Sequence, residues 1–278
     1  MLSSEGACRA LKMTQGGGWK TVIVIPARYG STRLPGKALL AIGGEPMVVR
    51  VWRKCRLAKD VDRVLVATDD ERIRDAIRGA GGDAVMTSAS HNSGTDRVAE
   101  AVKDMKCDAV VNVQGDEPFI EPGAITKAVD LLRRENAPPA GTLACPVRTI
   151  EDLVDPSVVK VVIGQGGDAL YFSRLPVPYR SELWESGRRG WVPSAKALAG
   201  GDLAGYYRHV GVYAFRPRFL QEYSAMEPTP AEEEEKLEQL RILERGERIG
   251  VAVTGYCGYG VDTEEGLEVA RRRAEEEE

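Results

Sequence analysis

Long hydrophobic runs are missing from this chain of 278 residues. No apolar stretch approaches the roughly eighteen residues that a membrane-spanning helix needs, so a membrane protein of the helical kind is not expected. The opening MLSSEGACRALKMTQGGGWK lacks the continuous apolar segment of a secretory signal. It predicts a flexible tail over residues 1–20, ending in the mobile Gly16-Gly17-Gly18, on a cytoplasmic protein. Cysteine is scarce and scattered: Cys8, Cys55, Cys107, Cys145 and Cys257 are odd in number and contain no C-x-x-C pair. That argues against a disulfide framework and against a zinc cluster, and predicts a reducing compartment. Net charge is also small, 38 basic against 42 acidic residues for a formal −4. The global basic footprint of a nucleic-acid binder is therefore absent, and any anion site has to be local.

What is present is an alternation of two patterns. Thr21–Ile25, Arg63–Ala67 and Ala109–Val113 are apolar, β-branched runs followed by polar or glycine-bearing residues, as strands buried on both faces are. Between them, Pro46–Ala58 and Glu71–Gly79 carry apolar residues at helical spacing, and Ala99–Met105 does so more weakly. Strand, loop and helix repeated in this way predict an α/β fold, a mostly parallel sheet flanked by helices, of a length that one folded unit can hold. The second half is less regular. It predicts strands at Val158–Ile163 and His209–Phe215, a polar insertion over Ser181–Gly205, and a helix over Thr229–Arg245 opened by Glu232–Glu235 at its positive end. The terminal Glu275–Glu278 reads as a frayed end.

In sheets of this kind ligands bind beyond the carboxyl ends of the strands, so the loops there matter most. After the first strand, ARYGSTRLPGK places Arg28, Arg33 and Lys37 in a glycine-bearing loop, offering backbone N–H groups and fixed positive charge to a phosphate chain. It is not a Walker A loop: five residues separate Gly30 from Gly36, and Ala38 stands where a magnesium-binding Ser or Thr would be required. A merely solvated surface loop is the plain alternative, and its place after the first strand weighs against that. After Ala109–Val113 comes Gln114-Gly115-Asp116-Glu117-Pro118, whose Asp116 is a candidate Mg²⁺ carboxylate at a strand exit or, more blandly, a turn former. A phosphate loop and a metal carboxylate on one sheet edge imply a nucleoside triphosphate.

These stretches also carry a resemblance. IPARYGSTRLPGK, VATDDERI, HNSGTDR, VNVQGDEP, DPSVVKVV, ALYFSR, RHVGVY, KLEQLRIL and GVDTEEGLE follow one another from Thr21 to about Arg272 as in the 3-deoxy-manno-octulosonate (Kdo) cytidylyltransferases. IPAR with RLPGK is shared among nucleotidyltransferases, whereas VNVQGDEP with ALYFSR and LEQLR is far more specific. The resemblance implies a nucleotidyltransferase, Rossmann-like fold over residues 21–278, with a nucleotide-binding N-terminal half and a C-terminal half for the sugar and for dimerisation. It implies a homodimer that uses CTP, Kdo and Mg²⁺ to make CMP-Kdo and pyrophosphate for lipopolysaccharide biosynthesis, with no nucleic acid or membrane partner. Position by position it implies Ala27, Arg28, Lys37, Ser93 and Arg97 around the nucleotide. It puts Gln114, Arg174, His209, Glu238 and Gln239 around the sugar acid, and Asp116 and Asp262 on the metal, with Arg28, Lys37, Asp116 and Asp262 as the catalytic set. Ala231, Glu234 and Lys236, and the length of the insertion, depart from the pattern.

Each of these residues has a blander reading. His209 beside a strand fits a packed structural histidine, and Arg174 a sheet-edge arginine. Glu238 and Gln239 next to the stripe Leu237, Leu240 and Leu243 fit a solvated helix face. Asp262 before Thr263, with Glu265 following, fits a helix N-cap. Two rival functions remain open at this level: a cytidylyltransferase for another sugar acid, such as 8-amino-Kdo or sialic acid, and a non-catalytic nucleotide-binding protein of the same fold.

Overall fold

Every second residue of the first strand faces the same way, and apart from Thr21 both sets are apolar, so β1 (Thr21–Ala27) has to be covered on both sides and takes an interior position in the sheet. The computed structural model describes residues 18–277 except 32, 92, 188, 189, 195–197, 199 and 201; of the tail expected over 1–20, only 18–20 fall among them. The other strands are a short ribbon of β2 (Ala41–Ile42) and β3 (Glu45–Pro46), then β4 (Arg63–Thr68), β5 (Asp83–Met86), β6 (Ala109–Asn112), β7 (Ala140–Pro146), β8 (Lys160–Ile163), β9 (Ala169–Ser173), β10 (Trp184–Gly187), β11 (Gly190–Pro193), β12 (Tyr207–Phe215) and β13 (Ile249–Val253). The main sheet runs β13-β7-β12-β6-β1-β4-β5, with β8 and β9 extending from β12. β6, β1, β4 and β5 are parallel, as are β13 and β7, while β12 is antiparallel to both of its neighbours.

Ile23, Ile25 and Val66 pack with Val48, Val51 and Trp52 of helix Met47–Cys55, Ile73 and Ile77 of Glu71–Gly79, and Ile125 and Ala128 of Pro122–Leu132. On the opposite face Val22, Val24, Leu65 and Ala67 pack with helices Gly94–Val102 and Pro217–Ser224. Burying each such aliphatic side chain is worth about 1.5–3 kcal/mol, so the two layers hold the strand exits rigidly where the loops begin. Among the described residues no helix is long and apolar enough to cross a membrane.

Several expectations need correction. The helix expected over Ala99–Met105 starts at Gly94, because Ser93 caps it: Ser93 Oγ accepts from Asp96 N at 3.1 Å and Asp96 accepts from Ser93 N at 3.3 Å. The single helix expected over Thr229–Arg245 is two, Pro230–Glu235 and Leu240–Glu244, with Lys236 between them at φ 54°. Arg174 breaks it by drawing two carbonyls out of the helical ladder, Glu235 O to Nε at 2.7 Å and Lys236 O to Nη2 at 3.3 Å. The C-terminus is not frayed over the described residues: helix Glu264–Glu276 runs on, and Glu277 pairs with Arg50 at 2.7 Å and Lys54 at 3.2 Å.

The cysteines are not all unpaired either. Cys145 and Cys257 form a disulfide across 112 positions with Cα atoms 5.2 Å apart, because β13 runs beside β7 and its pairing continues through Thr254 N to Ala144 O at 2.8 Å. Cys55 and Cys107 are free thiols, and Cys8 lies outside the described residues. The insertion over 181–205 contains the β10–β11 ribbon, anchored through Leu183 and Tyr206 on Val147, Ile150 and Leu153.

Candidate active site

β1 and β6 end side by side, and the geometry there depends on two glycines. A Cβ on Gly115 would lie 2.9 Å from Pro26 O, so only glycine lets the turn after β6 pass against the exit of β1. Gly36, at φ 68°, turns the long loop back onto Tyr29, donating its N–H to Tyr29 O at 3.1 Å. The loop therefore curls over the strand ends and encloses a cleft of about 260 Å³. Ala27, Arg28 and Lys37 come to it from the β1 side, and Ser93 and Arg97 from the N-terminus of helix Gly94–Val102. Gln114 and Asp116 come from the exit of β6, and Asp262 from the far end of the chain.

Lys37 is the hub of this cleft. Its Nζ donates to both Asp116 Oδ2 and Asp262 Oδ1, the latter at 2.8 Å, and Arg33 adds a bond to Asp262 Oδ2 at 2.9 Å. Burial opposes the charge on Lys37, yet the Asp116 and Asp262 carboxylates outweigh it and raise its pKa. Burial likewise acts to raise the Asp262 carboxyl, and Lys37 and Arg33 together hold it below the usual range. Asp262 is not the cap of the last helix. Thr263 takes that place, its Oγ1 accepting from Gly266 N at 3.1 Å, so the aspartate is left to face the cleft.

The two carboxylates thus converge on one cationic atom. That arrangement fits a divalent cation: Mg²⁺ takes one or two carboxylates and draws its other ligands from phosphates and water. Among the described residues no group of three or more His, Cys, Asp or Glu gathers into a protein-only metal cage, which leaves room for phosphate oxygens.

On the opposite wall, Ser93 spends its hydroxyl on the helix cap. Arg97, only 3% exposed, is clamped by Asp69 at 2.8 Å and Thr87 at 2.5 Å. A buried guanidinium so held presents a fixed edge to the cleft. Arg28 is exposed at the rim.

From Gln114 a chain of hydrogen bonds leads away from the cleft. Gln114 Nε2 donates to Asn112 Oδ1 at 3.4 Å, Asn112 Nδ2 to Thr95 Oγ1 at 3.4 Å, and Thr95 Oγ1 to Glu238 Oε1 at 2.8 Å. Glu238 is therefore half-buried and hydrogen-bonded rather than on a freely solvated helix face, and desolvation raises its carboxyl pKa. Gln239 is buried, at 5% exposure. His209, on β12, lies 3.0 Å from Thr142 Oγ1, edge-on to Phe172 and tilted against Tyr213. Burial pushes its pKa down to about 3, so the imidazole is neutral. Arg174, at the end of β9, spends its fork on the carbonyls of Glu235, Lys236 and Pro156 and braces the turn that leads to Glu238. These four do not line the nucleotide-side cleft. The sequence assigns no role to Asp69, Thr95 or Glu117, although VATDD, SGTDR and QGDEP contain them.

Comparison with known proteins bears on the family and the fold. A family model described as cytidylyltransferase matches residues 22–249. The 3-deoxy-manno-octulosonate cytidylyltransferase of Trichlorobacter lovleyi is 45% identical over 252 residues, 91% of this chain and 97% of that protein. The protein of the same name from Geobacter sulfurreducens is 47% identical over 245 residues, 88% and 95% of the two chains. Among solved structures, a CMP:2-keto-3-deoxy-manno-octonic acid synthetase complexed with CTP superimposes with a TM-score of 0.82 at 41% identity, covering 93% of this chain and all of that one. The 4-diphosphocytidyl-2C-methyl-D-erythritol synthase of Anaerococcus prevotii shares the fold at a TM-score of 0.57 and 14% identity.

Proposed function

The chain belongs to the cytidylyltransferase family, and from that premise we propose that it is a 3-deoxy-manno-octulosonate cytidylyltransferase, joining CTP and Kdo into CMP-Kdo with release of pyrophosphate. The observation that carries the reading is the meeting of Lys37, Asp116 and Asp262 at the exits of β1 and β6, in a chain that matches its Kdo-activating relatives over nearly its full length.

In the reaction the anomeric hydroxyl oxygen of Kdo bonds to the α-phosphorus of CTP. The bond from that phosphorus to the bridging oxygen of pyrophosphate breaks, pyrophosphate leaves, and the hydroxyl proton passes to solvent. Little covalent work falls to the protein, whose part is positioning and the balancing of charge. Arg28 and Lys37 hold the triphosphate, and Ala27, Ser93 and Arg97 form the wall against the cytidine. Gln114 stands between nucleotide and sugar, with Glu238, Gln239, His209 and Arg174 on the sugar side. Asp116 and Asp262 would hold Mg²⁺, which when bound would neutralise phosphate charge and lower the pKa of the attacking hydroxyl. The N-terminal half thereby serves chiefly the nucleotide and the C-terminal half the sugar. The family resemblance further supports a cytoplasmic homodimer, which light scattering tests as twice the 30.3 kDa chain.

Pyrophosphate release measured with each of the four nucleoside triphosphates against Kdo, 8-amino-Kdo and sialic acid tests the function. CTP with Kdo is expected to turn over fastest. Preference for another sugar acid reassigns the substrate, and silence with all twelve pairs overturns the reading.

A further inference from the structure

Asp116 and Asp262 are 146 positions apart (262 minus 116), and what brings them to one atom is a seam between two segments, 116–119 and 256–262. Glu117 is its centre. The side chain is 9% exposed and turned away from the cleft, and its Oε2 accepts from Tyr256 Oη at 2.6 Å and from Tyr259 N at 2.7 Å. One oxygen thus grips the incoming loop at two points three residues apart. Gly258, at φ 74°, lets that loop bend around the carboxylate; a Cβ there would sit 3.2 Å from Glu117 Oε1. Tyr256 is anchored in the main core at 5% exposure. Tyr259 packs edge-on against Phe119 with ring centroids 5.8 Å apart. Two residues on, Val261 N donates to Asp116 O at 2.9 Å, which sets the backbone of the second aspartate against that of the first.

We infer that Glu117 is a positioning residue which, by gripping Tyr256 and Tyr259, fixes Asp262 opposite Asp116 and so sets the affinity of the site for the divalent cation. It is not itself a ligand. The inference rests on the reading of the two aspartates as metal carboxylates. A buried hydrogen-bond acceptor outside the metal shell is a common device for orienting the ligands themselves, and its loss typically costs about 10- to 100-fold in metal affinity. Asp262 needs such a device, because it leaves the sheet on an extended, glycine-marked loop, with Gly255, Gly258 and Gly260 between β13 and the aspartate.

The test uses the full chain as Glu117→Ala, Glu117→Gln and Tyr256→Phe. Amide hydrogen exchange, with neither metal nor nucleotide added, reads the seam directly: Glu117→Ala should lose protection at residues 259–262 while the strands of the main sheet keep theirs. Mn²⁺ binding followed by electron paramagnetic resonance at saturating CTP should weaken about 10- to 100-fold in Glu117→Ala. It should weaken less in Tyr256→Phe, which removes one of the two grips. Glu117→Gln keeps an acceptor oxygen and should stay near wild type in both measurements. Unchanged protection at 259–262 in Glu117→Ala overturns the inference. So does a Glu117→Gln chain as impaired in Mn²⁺ binding as Glu117→Ala, since the charge itself would then be what the metal requires. The exchange measurement needs no turnover, and failure of the proposed function would appear separately, as wild-type chain that releases no pyrophosphate from CTP and Kdo.

Discussion

Lys37 stands between two carboxylates and, in the proposed reaction, also holds the triphosphate; a neutral residue there leaves both charges of the pair facing one another and the nucleotide without its cation. Lys37→Ala should lower kcat/KM for CTP by about 10²–10³, the usual loss when one donor to a charged transition state is removed. Its melting temperature should change little, because a pair that is partly exposed contributes only modestly to stability. Steady-state kinetics beside a thermal melt check both halves, and wild-type kinetics would remove Lys37 from the site. Arg174 illustrates the opposite case, in which side-chain geometry matters more than charge. Its guanidinium serves three backbone carbonyls at once, which a lysine's single ammonium cannot reproduce. Bonds from a charged donor are worth about 1.5–3 kcal/mol each, roughly one to two powers of ten. Arg174→Lys should therefore raise the KM for the sugar acid by at least tenfold. CTP affinity, measured alone by calorimetry, should hold steady. Equal damage to both ligands would place Arg174 in general stability and not on the sugar side.

Between elements, the exit of β6 and the loop after β13 each contribute one aspartate to the cleft, and neither contribution is useful without the other. Asp116→Asn and Asp262→Asn should each lower turnover by orders of magnitude while the fold survives. The double variant should be scarcely worse than either single one, because both act through one ion. Kinetics of the three variants decide it, and losses that multiply would mean two separate roles. β1, β4, β6 and helix Glu71–Gly79 were legible in the sequence because burial on both faces and helical spacing leave unmistakable local patterns. Arg28, Lys37 and Asp116 were legible because they follow β1 and β6 directly, whereas Ser93 and Arg97, beyond β5, came from the family resemblance. β5, β7, β9 and β13 were passed over: length does not separate them from the legible strands, since β7 is as long as β1 and β6 is only four residues, but their pairing is decided by distant partners, such as β13 beside β7. Ser93 shows the same limit at a helix start, where the apolar spacing begins only after a polar first turn. At Lys236 the sequence continues as helix, and the break comes from Arg174, 62 positions away. Asp262 and Thr263 both suit a cap, and only the path of the chain decides that Thr263 takes it.

For the molecule as a whole, His209 ties stability to pH. An unfolded imidazole takes up a proton near pH 6.5, whereas in the folded protein burial holds the pKa down to about 3. Between those values the unfolded chain binds more protons, so stability is full above about pH 6.5 and drains as the pH falls. From pH 7 to pH 5 this group alone should cost on the order of 1–2 kcal/mol. Urea melts across that range should show the slope in the wild type and a shallower one in His209→Gln, and identical slopes would assign the pH dependence to other groups. The Cys145–Cys257 bond acts on the same scale. It turns everything between those residues, including β8, β9, the β10–β11 ribbon, β12 and Glu238, into a covalent ring hung from the sheet, while β1, β4 and β6 stay on the open chain. A peptide bond cut in the ribbon would therefore leave the two fragments one molecule, separable only by a reductant, and the sugar-side residues would keep their tether to the nucleotide half.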